Sequence, residues 1–90
     1  MYAEVECVFY DGHSLKEKRS KLKSMIHTLR NDFNISVAEI DYHDLWQRTQ
    51  LGIAIVANEY VFAEKVLQKV LDIIDQNPEL ERTITHVERL

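Results

Sequence analysis

The stretch Tyr2-Ala3-Glu4-Val5-Glu6-Cys7-Val8-Phe9-Tyr10, followed by Asp11-Gly12-His13-Ser14-Leu15-Lys16-Glu17, decides how the rest of the chain is read. Ala3, Val5, Cys7 and Phe9 fall on one face of an extended chain, and Tyr2, Glu4, Glu6 and Tyr10 on the other. Alternation with period two marks a half-buried strand. Asp11-Gly12 is a turn signal. Ser14 with Glu17 three residues later is a capping box, in which the hydroxyl and the carboxylate satisfy backbone donors that a helix start leaves open. The period then changes. Leu15, Leu22, Ile26, Leu29 and Phe33 recur at helical spacing, which predicts a helix from about Leu15 to Asp32. Asn31 and Asn34 suit its end, because Asn tolerates the left-handed conformation.

Outward from this unit, Ile35 to His43 predicts a second strand. A polar loop, His43-Asp44-Leu45-Trp46-Gln47-Arg48-Thr49, comes next. Leu51-Gly52-Ile53-Ala54-Ile55-Val56-Ala57 predicts a third strand, apolar on both faces. Asn58 is placed to cap a second helix running to about Gln76, closed soon afterwards by Pro78. Arg82 to Arg89 predicts a modest final strand. Strand, helix, strand, strand, helix, strand is two strand–helix–strand halves, the ferredoxin-like α+β arrangement. Right-handed crossovers then set two helices on one face of a four-stranded antiparallel sheet. An irregular α+β sandwich is the alternative.

Ninety residues with 46% apolar composition suit a single domain spanning 1–90. A domain this small buries a modest share of its surface, and association is a common remedy. The single cysteine, Cys7, cannot form an internal disulfide, which suits a reducing compartment. The first residues lack the basic start and apolar core of a signal peptide, and no apolar run reaches membrane-spanning length. A cytoplasmic protein is expected.

His13-Ser14-Leu15-Lys16-Glu17-Lys18-Arg19, Val37-Ala38-Glu39, Asp44-Leu45-Trp46-Gln47-Arg48 and Leu51-Gly52-Ile53-Ala54 together resemble the YlxP-like family of small bacterial proteins, a domain of unknown function (DUF503). The resemblance covers nearly the whole chain and implies a ferredoxin-like fold. It also implies a cytoplasmic bacterial protein whose gene often lies beside those for translation initiation and ribosome maturation factors. It supplies no activity and no catalytic residue. The short, polar final strand is a departure from the family pattern.

Charge is the strongest functional signal. Ser14 to Arg30 carries a net +5 in a chain of formal charge −4, leaving about −9 on the remainder. At about 100° per residue, Lys16, Arg19, Lys23 and Arg30 form a stripe beside the apolar seam, with His27 next to it and Lys18 and Lys21 towards the other flank. The stripe extends roughly 20 Å along the helix. Three readings compete: a solvated face, an RNA phosphate contact aided by Ser20 and Ser24, and a contact for an acidic protein. RNA binding across the open sheet is disfavoured, because Glu4 and Glu6 would meet phosphates and no stacking aromatics are suitably placed.

Trp46 and Arg48 suit either a lid over the core, a homodimer contact or ligand stacking. The third strand, with Ile53 and Ile55 on one face and Ala54 and Val56 on the other, needs a second cover. The second helix has a wide apolar arc, including Phe62, Val66 and Ile73. A homodimer is therefore expected, with Trp46, Arg48, Ile53 and Ile55 as its interface candidates. Glu39, Asp41 and His43 alternate along one strand, as do His86 and Glu88. A line of ligands along one strand does not converge, so these are expected to be a polar outer face. Cys7 is expected to pack as a small hydrophobe. No metal, no cofactor and no catalytic residue is expected, and the chain reads as a binding module rather than an enzyme. A homodimeric interaction protein for an acidic partner is the alternative, and a small-molecule or metal-dependent enzyme the third.

Overall fold

A computed structural model describes residues 1–10 and 14–90. The Asp11-Gly12 turn and His13 lie outside the described residues. The elements are β1 (Tyr2–Phe9), α1 (Leu15–Asp32), β2 (Ser36–Asp41), β3 (Arg48–Ala54), α2 (Tyr60–Gln76) and β4 (Leu80–Glu88). They form one four-stranded sheet in the order β2-β3-β1-β4, with every neighbouring pair antiparallel. This is the ferredoxin-like α+β arrangement. The crossover through α1 carries the chain over β3, so β1 and β2 run parallel with β3 between them.

β1 is central, and its alternation decides the two sides. Ala3, Val5, Cys7 and Phe9 are buried and join Leu51 and Ile53 of β3 in one apolar cluster with Leu22, Leu29, Leu67, Val70 and Ile74 from the helices. Both helices therefore cover the same face. Their apolar stripes supply the burial that helical propensity alone would not.

α1 has the expected bounds, and the Ser14 hydroxyl accepts from the Glu17 amide at 3.2 Å. The helix does not end on an Asn in the left-handed region. Phe33 ends it in extended conformation, its amide bonded to the Leu29 carbonyl at 3.1 Å. β3 starts earlier than expected, at Arg48, because the full length of β1 pairs with it from Tyr2↔Ala54 to Val8↔Arg48. It also ends earlier. Met1 and Ile55 exchange backbone hydrogen bonds at 2.9 and 3.0 Å, after which the chain turns away. α2 consequently starts at Tyr60 with Glu59 as N-cap, so Asn58 is not the cap. β4, expected to be short, is nine residues long.

The third strand is not apolar on both faces. Its outward positions are Arg48, Gln50, Gly52 and Ala54, and Val56 lies beyond its end. Gly52 is buried on that side: a Cβ there would stand 2.9 Å from Ile40 Cγ2 and 3.0 Å from the Tyr2 hydroxyl. Side chains of the sheet itself thus cover this part of its outer face.

The buried seam of α1 is Lys18, Leu22, Met25 and Leu29. It is rotated from the expected arc, and it includes a lysine. Lys18 Nζ is fully enclosed, 2.9 Å from Glu39 Oε2, and donates to the Tyr42 carbonyl at 2.6 Å. The same Glu39 oxygen accepts from Thr49 Oγ1 at 2.6 Å. Tyr42 has φ 62°, the left-handed region that a non-glycine residue adopts at a cost, and the Lys18 bond holds its carbonyl in place. Lys18→Ala should cost about 3–5 kcal/mol by urea unfolding, because it strands a largely buried carboxylate. Lys18→Met with Glu39→Leu should recover most of that loss. A single-variant cost below about 1 kcal/mol would contradict this account.

Candidate anion-binding groove

α1 and the edge strand β2 enclose an open groove of about 700 Å³. Arg19, Lys23, His27 and Arg30 line one side of it, Leu22 and Ile26 add apolar surface, and Ala38 and Glu39 of β2 border the other side. Spacing of three or four residues sets these side chains on one helix face. Three of the four basic residues singled out in the sequence therefore converge. Lys16, the fourth, is exposed near the helix start and does not line the groove. Arg30 also has a structural job, because its Nη2 donates to the Val37 carbonyl at 2.7 Å. Glu39 borders the groove too, but its carboxylate is already held by Lys18 and Thr49.

The interface candidates fare differently. Ile53 and Ile55 are core residues, 0% and 3% exposed, and no partner can reach them in the folded chain. Alternation had placed them on a common face correctly, but that face is the one beneath the helices. Arg48 is committed within the chain: it pairs with Glu6 and lies 4.2 Å from the centre of the Tyr42 ring. Trp46 remains partly exposed in the β2–β3 connection. Of the apolar side chains cited for self-association, Phe62 in the first turn of α2 and Val56 before it are exposed, and Val61, which that reading missed, is exposed beside them. Leu90 is also exposed, and Arg89 stacks 3.8 Å over the Tyr60 ring, which brings the final residues beside that turn.

The helix-free sheet face carries internally paired polar side chains beside the exposed Ile84 and Ile40. Thr83 Oγ1 donates to Glu6 at 2.9 Å and Gln50 Nε2 to Glu4 at 3.0 Å. The Arg48 hydrogen bond, then the Thr83 bond, holds the Glu6 carboxyl below its usual range. Glu39, Asp41 and His43 do not share this face. A bulge between Glu39 and Asp41 leaves Glu39 pointing inward to Lys18, while Asp41 pairs in register with outward-facing Gln50. Among the described residues no three His, Cys, Asp or Glu side chains gather as a metal cluster would require. His86 and Glu88 form an exposed pair at 3.3 Å. Cys7 is buried, and desolvation pushes its thiol up to about 12, so it is not poised as a nucleophile.

Comparison with known proteins agrees with the motifs. Residues 1–87 match the family model described as "Protein of unknown function (DUF503)". The chain belongs to the DUF503 family. It is 54% identical over 87 residues to the "Uncharacterized protein YlxP" of Bacillus subtilis (strain 168), covering 97% of this chain and 95% of that one. Membership in DUF503 assigns no activity and no site, so the roles of the groove residues rest on their geometry. No helix among the described residues of this DUF503 chain is long and apolar enough to cross a membrane.

The DUF503 chain should lose stability in acid for a definable reason. Arg48 lowers the Glu6 carboxyl, and Arg82, bonded to both Asp75 oxygens at 2.8 Å, lowers that of Asp75. Both groups release protons more readily when folded. Their stabilisation is present above the ordinary values of 4.5 and 3.8 and is lost as pH falls through and below them. The urea midpoint should drop between about pH 5 and pH 3. Arg48→Gln and Arg82→Gln should each flatten that drop, and an unchanged slope in both would contradict the assignment.

Proposed function

We propose that this chain is a cytoplasmic, non-enzymatic binding module, accessory to ribosome or RNA processes, that holds an RNA phosphate backbone in the groove between α1 and β2. The observation that carries this reading is the convergence of Arg19, Lys23, His27 and Arg30 on one concave surface of an otherwise acidic protein. A purely solvated lysine face needs no concavity and no arginine bound to the neighbouring strand edge. The lowered Glu6 and paired Glu4 on the open sheet face disfavour binding there, because carboxylates repel phosphate.

Phosphate contacts made by lysine and arginine release counterions, so affinity falls with salt. With about three cations engaged, a plot of log K against log salt should have a slope of about −2 to −3 with ribosomal RNA. Arg19→Glu with Lys23→Glu should weaken binding at least tenfold and make the slope shallower. Absence of any RNA binding at low salt would overturn the reading.

Self-association is a second reading, favoured by the exposed Val61 and Phe62 at the start of α2. In such a homodimer the groove would also be open to an acidic protein partner. Light scattering should then give a dimer mass that Phe62→Glu converts to a monomer mass. A monomer mass independent of concentration for the unaltered chain would exclude it.

A further inference from the structure

The groove itself discriminates among anionic partners. β2 is an edge strand, and an edge is normally a template for strand addition, which needs both free donors and free acceptors. Here the Val37 carbonyl accepts from Arg30 at 2.7 Å, and the Glu39 carbonyl lies 3.1 Å from His43 Nε2. These carbonyls are two residues apart, as the outward-facing groups of an antiparallel edge must be. Amide and carbonyl of one residue point the same way in a regular ladder, so the Val37 N–H, ahead of the bulge, faces outward with its carbonyl. There the edge offers a donor while its acceptor is occupied. An added peptide strand would find half its hydrogen bonds missing, whereas phosphodiester oxygens only accept.

The lining adds a second constraint. Proteins that grip single-stranded RNA stack its bases on aromatic rings. Leu22 and Ile26 supply its apolar surface, and among the described residues no Phe, Tyr or Trp lines the groove. The rings of Tyr42 and Trp46 belong to the β2–β3 connection instead. Without stacking, contact is confined to the backbone. A backbone-only site gains most from a strand whose phosphates already stand in a regular array, because a flexible strand must be ordered on binding. The cations from Arg19 to Arg30 extend about 16 Å along α1, enough for a short run of successive phosphates.

Resting on the RNA reading above, we infer that the groove takes one strand of a double-helical RNA by its sugar–phosphate backbone, without reading base sequence. The test is a binding titration of the full chain at low salt with a short RNA duplex, its separated single strand, a second duplex of scrambled sequence and a poly-glutamate peptide. The two duplexes should bind equally well and at least tenfold tighter than the single strand. Their log–log salt slope should be close to −3. Lys23→Glu, and independently Arg19→Glu, should remove at least tenfold of the duplex affinity, with circular dichroism confirming the fold. Single-stranded RNA binding as well as duplex would overturn this inference and leave the RNA reading standing. Binding of poly-glutamate with no RNA of either kind would overturn both.

Discussion

Lys18 reaching Glu39 inside the protein is the contact on which the arrangement of α1 against the edge of the sheet depends. Its ammonium ties the helix to two points on one stretch of chain, the Glu39 carboxylate of β2 and the Tyr42 carbonyl just past that strand. Thr49 brings β3 into the same cluster by donating to Glu39. A buried pair of this kind gives little net stability, since desolvation opposes the Coulombic gain. Its consequence is geometric. Apolar packing of Leu22, Met25 and Leu29 would allow α1 to slide on the sheet, whereas a charge-assisted hydrogen bond fixes one position.

The groove follows from that position. With Lys18 turned inward, Arg19, Lys23 and Arg30 are left along the side that faces the β2 edge, while Lys21 pairs with Glu79 on the other flank. Arg30 and His43 then close the two outward carbonyls of the edge. The lysine-rich segment thus divides its charges by role. Lys18 is buried against Glu39, Arg30 bonds the strand edge, and Arg19 and Lys23 line the groove. The helix-free face of the sheet is finished differently, by carboxylates already satisfied by Arg48, Thr83 and Gln50 and by Tyr2 and Ile40 closing over Gly52.

Much of the fold was legible in particular residues. Alternation in Tyr2–Phe9 and the Ser14–Glu17 cap placed β1 and the start of α1, because both signals are local and depend only on neighbouring side chains. Errors fell where pairing overrode local pattern. Arg48 looked like loop until the length of β1 drew it into β3, and Asn58 looked like a cap until the pairing of Met1 with Ile55 delayed the helix. Within the site, three stripe residues were visible by helical spacing. His43 as an edge cap was not, since its partner is set by the turn at Tyr42. Ile53 and Ile55 were assigned to an interface because a strand's pattern shows that a face is apolar without showing which element covers it.

By itself the sequence determined the element order, the split strand–helix–strand topology, the family and the segregation of positive charge onto α1. These are properties of periodicity, capping and composition along the chain. Tertiary structure alone decided that Lys18 is buried, that Glu39 turns inward at a bulge, and that the remaining cations border a groove rather than an open face. The physical reason is that burial and partner choice for a long charged side chain depend on which distant carboxylate and carbonyl come within hydrogen-bond reach. That distance is created only when α1 packs across β2 and β3.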